Sequence, residues 1–173
     1  VPFGKESANY MLMGRFGNVF LVNGEPDYKL EVARGGIVRF FLTNASNTRT
    51  FNISFQAEER TTSSSGFGRP NEILSMKVVG SDVGRFEREV ITKNAVLAPA
   101  ERYVIEVRFP DSGKYQLINQ VQGINHRQGL FLEERTSIGE ITVSEMTAIP
   151  DHSKTFDTIR EHEEVIADID KYR

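Results

Sequence analysis

A chain of 173 residues with 39% hydrophobic and 26% charged side chains fits one domain that buries roughly 70% of its unfolded surface. A net charge of −3 gives no electrostatic footprint for nucleic acid or an anionic membrane, and no apolar run approaches the roughly 20 residues that cross a bilayer. Cysteine is absent, which excludes disulfides, a thiol nucleophile and thiolate metal ligands. The 12 phenylalanines without a tryptophan point to a Phe-rich core. Residues 1–7 do not read as a signal peptide, and a start at Val1 without Met reads as a processed or excised piece.

Residues 1–16 lack a clean period and read as a lead-in segment laid across the domain. The alternate Met11 and Met13 have no nearby His or Cys and read as packing rather than as a soft-metal site. Three strand-like runs follow between residues 19 and 55, the pattern of an antiparallel β-sandwich. Asn23-Gly24 and Gly35-Gly36 mark tight turns, since these residue types tolerate positive φ. Tyr28, Leu30 and Val32 alternate with Lys29 and Glu31; Val38, Phe40 and Leu42 form one face of the next strand, with Arg39, Phe41 and Thr43 on the other. After the polar corner at 44–47, Phe51, Ile53 and Phe55 resume the alternation.

Residues 56–71, rich in Ser, Thr and Gly, read as a long loop, mobile or contacting a partner. Phe67 between two glycines, with Arg69 beside it, is the part best suited to docking. Leu74, Met76 and Val78 share a face of a returning strand that ends in a turn at 81–84. Tyr103, Ile105, Val107 and Phe109 alternate strongly with Val104, Glu106 and Arg108 before a turn at 110–113. An irregular connection over 120–136 and a strand over 138–143 complete about eight to ten strands, the count a sandwich of this size carries. In the tail, Phe156, Ile159, Ile166 and Ile169 predict one amphipathic helix, N-capped by Ser153 or Thr155.

No constellation of residues carries chemistry. His126, His152 and His162 show neither H-x-H nor H-x-x-x-H spacing, although His126 sits in a loop that could face a neighbouring site. The serines at 63–65 lack a nucleophile elbow, Gly66-Phe67-Gly68 lacks the context of a phosphate cradle, and the adjacent Glu58 and Glu59 point apart in an extended chain.

The segments LVNGEP, VRFFLTNASNTRTFNI, VVGSDVG and LAPAERYVIEVRF with its GKYQL follow-on resemble, in order, the middle cupredoxin-like domain of three-domain multicopper oxidases of the laccase and bilirubin oxidase kind. The likeness covers roughly residues 17–145. It implies an all-β, Greek-key cupredoxin-like sandwich or barrel with a short C-terminal helix. The implied organisation is the lead-in at 1–16, the cupredoxin-like domain at 17–150 and a helical linker at 151–173 toward a following domain.

The resemblance further implies that copper belongs to the parent protein and not to this chain, whose partners are the first and third cupredoxin domains. Such a parent oxidises phenolic, other organic or metal reductants and reduces O₂ to water. Family members are often periplasmic or secreted. Ala100 departs from the Gly of the family's P-G-E-R and is expected to alter a turn angle only.

Arg39, Asn44, Asn47, Arg49, Asp82, Glu101 and Arg102 are the expected structural residues, the charged ones pairing with one another or with backbone carbonyls, and the asparagines capping the corner. Phe67, Arg69 and His126 are the loop residues expected at a substrate or partner. Faces made to contact other domains also favour weak self-association. The alternative reading is a free-standing β-sandwich that recognises a glycan or protein through the 56–71 and 120–136 loops.

Overall fold

The computed structural model describes residues 14, 17, 19–58, 71–82, 84, 86–120, 122–125, 130–133, 135–145, 150 and 152–172, with the backbone alone for 122–125, 130–133, 169 and 172. Eleven strands are present among them: β1 (Tyr28–Ala33), β2 (Ile37–Thr43), β3 (Phe51–Ala57), β4 (Met76–Ser81), β5 (Val90–Thr92), β6 (Ala95–Leu97), β7 (Arg102–Arg108), β8 (Gly113–Asn119), β9 (Gln122–Asn125), β10 (Leu130–Glu133) and β11 (Thr136–Ser144). They form a five-stranded sheet in the order β1-β11-β8-β3-β6, a four-stranded sheet in the order β2-β7-β4-β5, and a two-stranded sheet of β10 and β9. β1 runs parallel to β11, and every other pairing is antiparallel.

The period-2 alternation sorts the side chains as the strand geometry requires. Phe55, Leu117 and Ile141 of one sheet and Met76, Ile105 and Val107 of the other point into a shared core. Phe109 bridges them: its ring lies 5.9 Å from Phe55 and 5.3 Å from Tyr115, both edge-to-face. The fully buried Tyr115 satisfies its hydroxyl by donating to the Asp111 carbonyl at 3.0 Å. Burial, with the Asp111 charge nearby, pushes that phenol up to about 12. Asn23 and Gly24 both take positive φ, and the short bridge Val22↔Glu25 closes their turn.

Three features differ from the sequence reading. Within the stretch read as an irregular connection, Gln122–Asn125 and Leu130–Glu133 pair as antiparallel strands. The tail is two helices, α1 (Ser153–Asp157) and α2 (Glu163–Tyr172), not one. Ser153 and Thr155 lie inside α1, whose N-terminal flank is His152 without a side-chain cap. The stretch between the helices stays open because its backbone groups bond to the four-stranded sheet. No described helix is long and apolar enough to cross a membrane.

Candidate functional site

Two of the segments that carry the family likeness, around Asn44 and around Glu101, meet at one corner of the sandwich. Residues 98–101 form a turn in which Glu101 N–H donates to Ala98 O at 3.0 Å, with Pro99 and then Ala100 at the central positions. Ala100 has φ +67°, the left-handed region that a type II turn demands after proline and that glycine fills without strain. Glu101 closes the turn again, its Oε2 accepting from Ala98 N–H at 2.7 Å while Oε1 accepts from the Tyr103 hydroxyl at 3.0 Å.

The other half of the corner is Asn44, which is buried. Its backbone N–H donates to Glu101 O at 3.0 Å, and its carbonyl accepts from Ala100 N–H at 2.9 Å. Its side-chain Nδ2 donates to Arg49 O at 2.7 Å and Leu97 O at 3.0 Å, and Oδ1 accepts from Ser46 N–H at 2.9 Å. One amide therefore ties the 44–49 loop to the end of β6, using both its donor and its acceptor. Arg49 is buried, with its guanidinium 4.7 Å above the Phe20 ring and Nη2 donating to Gly17 O at 2.9 Å. Asn47 is exposed. Asp82 and Arg102 pair at the surface, and the hydrogen bonds from Arg102 hold the Asp82 carboxyl below its usual range.

A second cluster lies on the outer face of the four-stranded sheet. Arg39 stands opposite Glu106, and Glu106 stands opposite Lys77, so the three form a row across β2, β7 and β4. Arg39 Nε donates to Glu106 Oε1 at 3.1 Å. The Lys77 side chain is 2% exposed, which demands partners for its ammonium. It finds them in the Thr155 and Thr158 carbonyls, at 3.1 and 3.0 Å, and in the carboxylates of Glu89 at 3.7 Å and Glu106 at 3.9 Å. Lysine commonly satisfies the open carbonyls at a helix C-terminus, and here those of α1 and the residue after it are used. The buried Phe156 ring covers the ammonium at 5.4 Å.

The chain then crosses to the sheet edge. Glu89 N–H donates to Arg160 O at 3.0 Å, and His162 N–H donates to Glu87 O at 2.8 Å. Arg160 Nε donates to Glu89 Oε1 at 2.7 Å. Burial pushes the Glu89 carboxyl up, but the bonds from Arg160 and the charges of Arg160 and Lys77 outweigh it and leave its pKa below the usual glutamate value. Residues 152–162 are thus a strap held by buried charge, an apolar side chain and two edge hydrogen bonds.

Of the residues singled out in sequence, the structure brings Asn44, Arg49 and Glu101 together at the corner, with Arg102 and Asp82 beside them, and places Arg39 in the strap cluster. Phe67, Arg69 and His126 lie outside the described residues. Lys77, Glu89, Glu106 and Arg160 escaped the sequence reading. Lys77 and Glu106 each interrupt an apolar strand, which is the one signal that could have found them.

Among the described residues no group of three or more His, Asp or Glu could hold a metal ion. With no cysteine and three scattered histidines in the whole sequence, the chain does not fit a copper centre.

The architecture defines the class: a cupredoxin-like β-sandwich. It superposes on a bacterial laccase-like multi-copper oxidase, CueO, from Ochrobactrum sp. with TM-score 0.60 and 19% identity, covering 83% of this chain and 27% of that one. A variant of the McoA multicopper oxidase from Aquifex aeolicus gives TM-score 0.59 and 24% identity, covering 82% and 31%.

Sequence likeness to curated proteins covers about half of the chain. Multicopper oxidase LPR2 of Arabidopsis thaliana is 37% identical over 97 residues, which are 56% of this chain and 14% of that protein. Cell division protein FtsP of Proteus mirabilis is 34% identical over 100 residues, 58% of this chain and 17% of that protein. No family model matches. The chain has a cupredoxin-like fold and is similar over about half its length to multicopper oxidases and to a cell division protein, and it spans less than one-fifth of the curated relatives it matches.

Proposed function

We propose that this chain is the middle, structural domain of a multicopper oxidase, holding a first and a third cupredoxin domain in the arrangement that lets them share copper. The observation that carries this reading is the pairing of a multicopper-oxidase-type fold with a sequence that lacks the ligands for copper. The parent would oxidise phenolic, other organic or metal reductants and pass the electrons to O₂, with all copper chemistry outside this chain.

Within such an assembly the described residues have two tasks. The Asn44 corner makes the two loops at one end of the sandwich a single rigid unit, and the strap fixes where the chain leaves the sheet. Residues 151–173 would lead from there to the following domain. A domain whose exit point wandered by even a few ångströms would not keep neighbouring metal sites in register.

The test is the mass and metal content of the full-length gene product. A protein several times this length that binds about four copper ions per chain and oxidises phenols or metal ions supports the reading. A copper-free product removes the oxidase. It would favour the second reading, drawn from the likeness to cell division proteins: the same structural domain in a cell division protein. The free-standing recognition module is not what these likenesses favour.

A further inference from the structure

The turn at residues 22–25 carries the only Asn-Gly pair in the sequence. Asn23 and Gly24 take φ +54° and +85°, and the turn is closed by two backbone bonds of 3.0 Å between Val22 and Glu25. Residues 23–27 are all exposed. Among the described residues nothing bonds to the Asn23 side-chain amide or to Gly24 N–H, and a Cβ at Gly24 would meet nothing within 4 Å. The carboxamide and the next main-chain nitrogen are therefore adjacent, unhindered and in water. A hairpin closed by one bridge is marginal on its own, so the local opening that brings the carboxamide onto that nitrogen costs little. The other asparagines followed by alanine are held. Asn44 is buried with Nδ2 bonded to two carbonyls, and Asn94 donates from Nδ2 to Asn52 Oδ1 at 2.9 Å.

We infer that Asn23 is a site of spontaneous covalent modification that opens this turn. Gly24 N gives its proton to water and bonds to Asn23 Cγ. The bond from Cγ to Nδ2 breaks and ammonia leaves, which closes a cyclic imide. Water then adds to one of the two imide carbonyls. Opening at one restores the original main chain with aspartate at position 23. Opening at the other routes the main chain through Cβ and leaves isoaspartate. Nothing is oxidised or reduced, and water is the only co-reactant. Aspartate tolerates the left-handed region and keeps the turn. Isoaspartate adds a carbon to the main chain between Val22 and Glu25, so a two-residue turn no longer brings both of their bonds into register. A closed hairpin becomes an open one, with a new carboxylate beside Glu25 and Asp27. The chemistry is the same whatever the parent protein does.

Ageing of the full-length gene product in mildly alkaline buffer, followed by peptide mass spectrometry, tests it. Trypsin releases residues 16–29 as one peptide, whose fragments distinguish Asn23 from Asn18. Asn23 should gain the mass of an amide-to-acid exchange about tenfold faster than Asn44 or Asn94, because its turn opens without unfolding the sandwich. Both isomers should form, and amide exchange at Glu25 should rise in step with isoaspartate. Asn23→Gly keeps the left-handed turn and should abolish both the mass gain and the rise in exchange. Asn23→Asp should show slow exchange at Glu25 when fresh, which assigns the opening to isoaspartate rather than to the added charge. Retention of the Asn23 amide, under conditions that convert it in the urea-unfolded protein, overturns the inference. So does conversion that leaves exchange at Glu25 unchanged, since the turn would then survive its own modification.

Discussion

The corner and the strap solve the same problem, holding non-strand segments against a sandwich, by different physics. The corner uses neutral hydrogen bonds from a buried amide, which cost little to desolvate once both ends are paired. The strap uses a buried ammonium and two carboxylates, groups whose removal from water is expensive unless every one is answered. The difference teaches that the corner is built for permanence, whereas the strap depends on the protonation and presence of each partner.

Lys77→Met breaks the comparison most sharply. It leaves Glu89 and Glu106 short of a cation and should cost about 3 kcal/mol, read as faster amide exchange over residues 155–162. Adding Glu106→Leu should return most of that loss, since well-packed apolar replacements of a buried pair are often neutral or better. If the double variant is as unstable as the single one, the cluster does more than answer its own charges. Asn44→Ala should cost about 2 kcal/mol in urea denaturation by removing the amide that donates to the Arg49 and Leu97 carbonyls and accepts from Ser46 N–H, with no effect on exchange in the strap.

Acid should separate the two regions without mutation. The native Glu89 pKa is lowered, so its contribution is complete above the usual glutamate value of 4.5 and is lost as the pH falls through the lowered native value. Exchange over 158–162 should therefore rise in that acid window before exchange at the neutral Asn44 corner does. The reverse order would show that the strap is not held by charge. The smallest effect belongs to Ala100→Gly. Relief of left-handed strain, about 1–2 kcal/mol, is offset by about 0.4–1 kcal/mol of unfolded-chain entropy, for a net gain of about 0.5 kcal/mol in melting experiments. A loss of stability would mean that Ala100 packs better than its exposure indicates.

The alternation that faces Val38, Phe40 and Leu42 inward and leaves Arg39, Phe41 and Thr43 outward was legible from residue order alone, because side chains in a strand alternate whatever lies across the sheet. The Asn23-Gly24 turn was equally local, fixed by which residues tolerate a given φ. The family likeness likewise drew attention to Asn44, Arg49 and Glu101. The partners of Lys77 could not be read this way. Its carbonyl acceptor Thr155 lies 78 residues away, and nothing in the local sequence says that a tail segment will cover that face. For the same reason one predicted helix became two: Thr158 and Arg160 carry no strong helix-breaking signal, yet their backbone groups are taken by Lys77 and by the edge at Glu89. Local sterics decided the strands and turns, whereas the tertiary fold alone decided which charges would be buried, because burial belongs to the neighbours a residue meets and not to the residue itself.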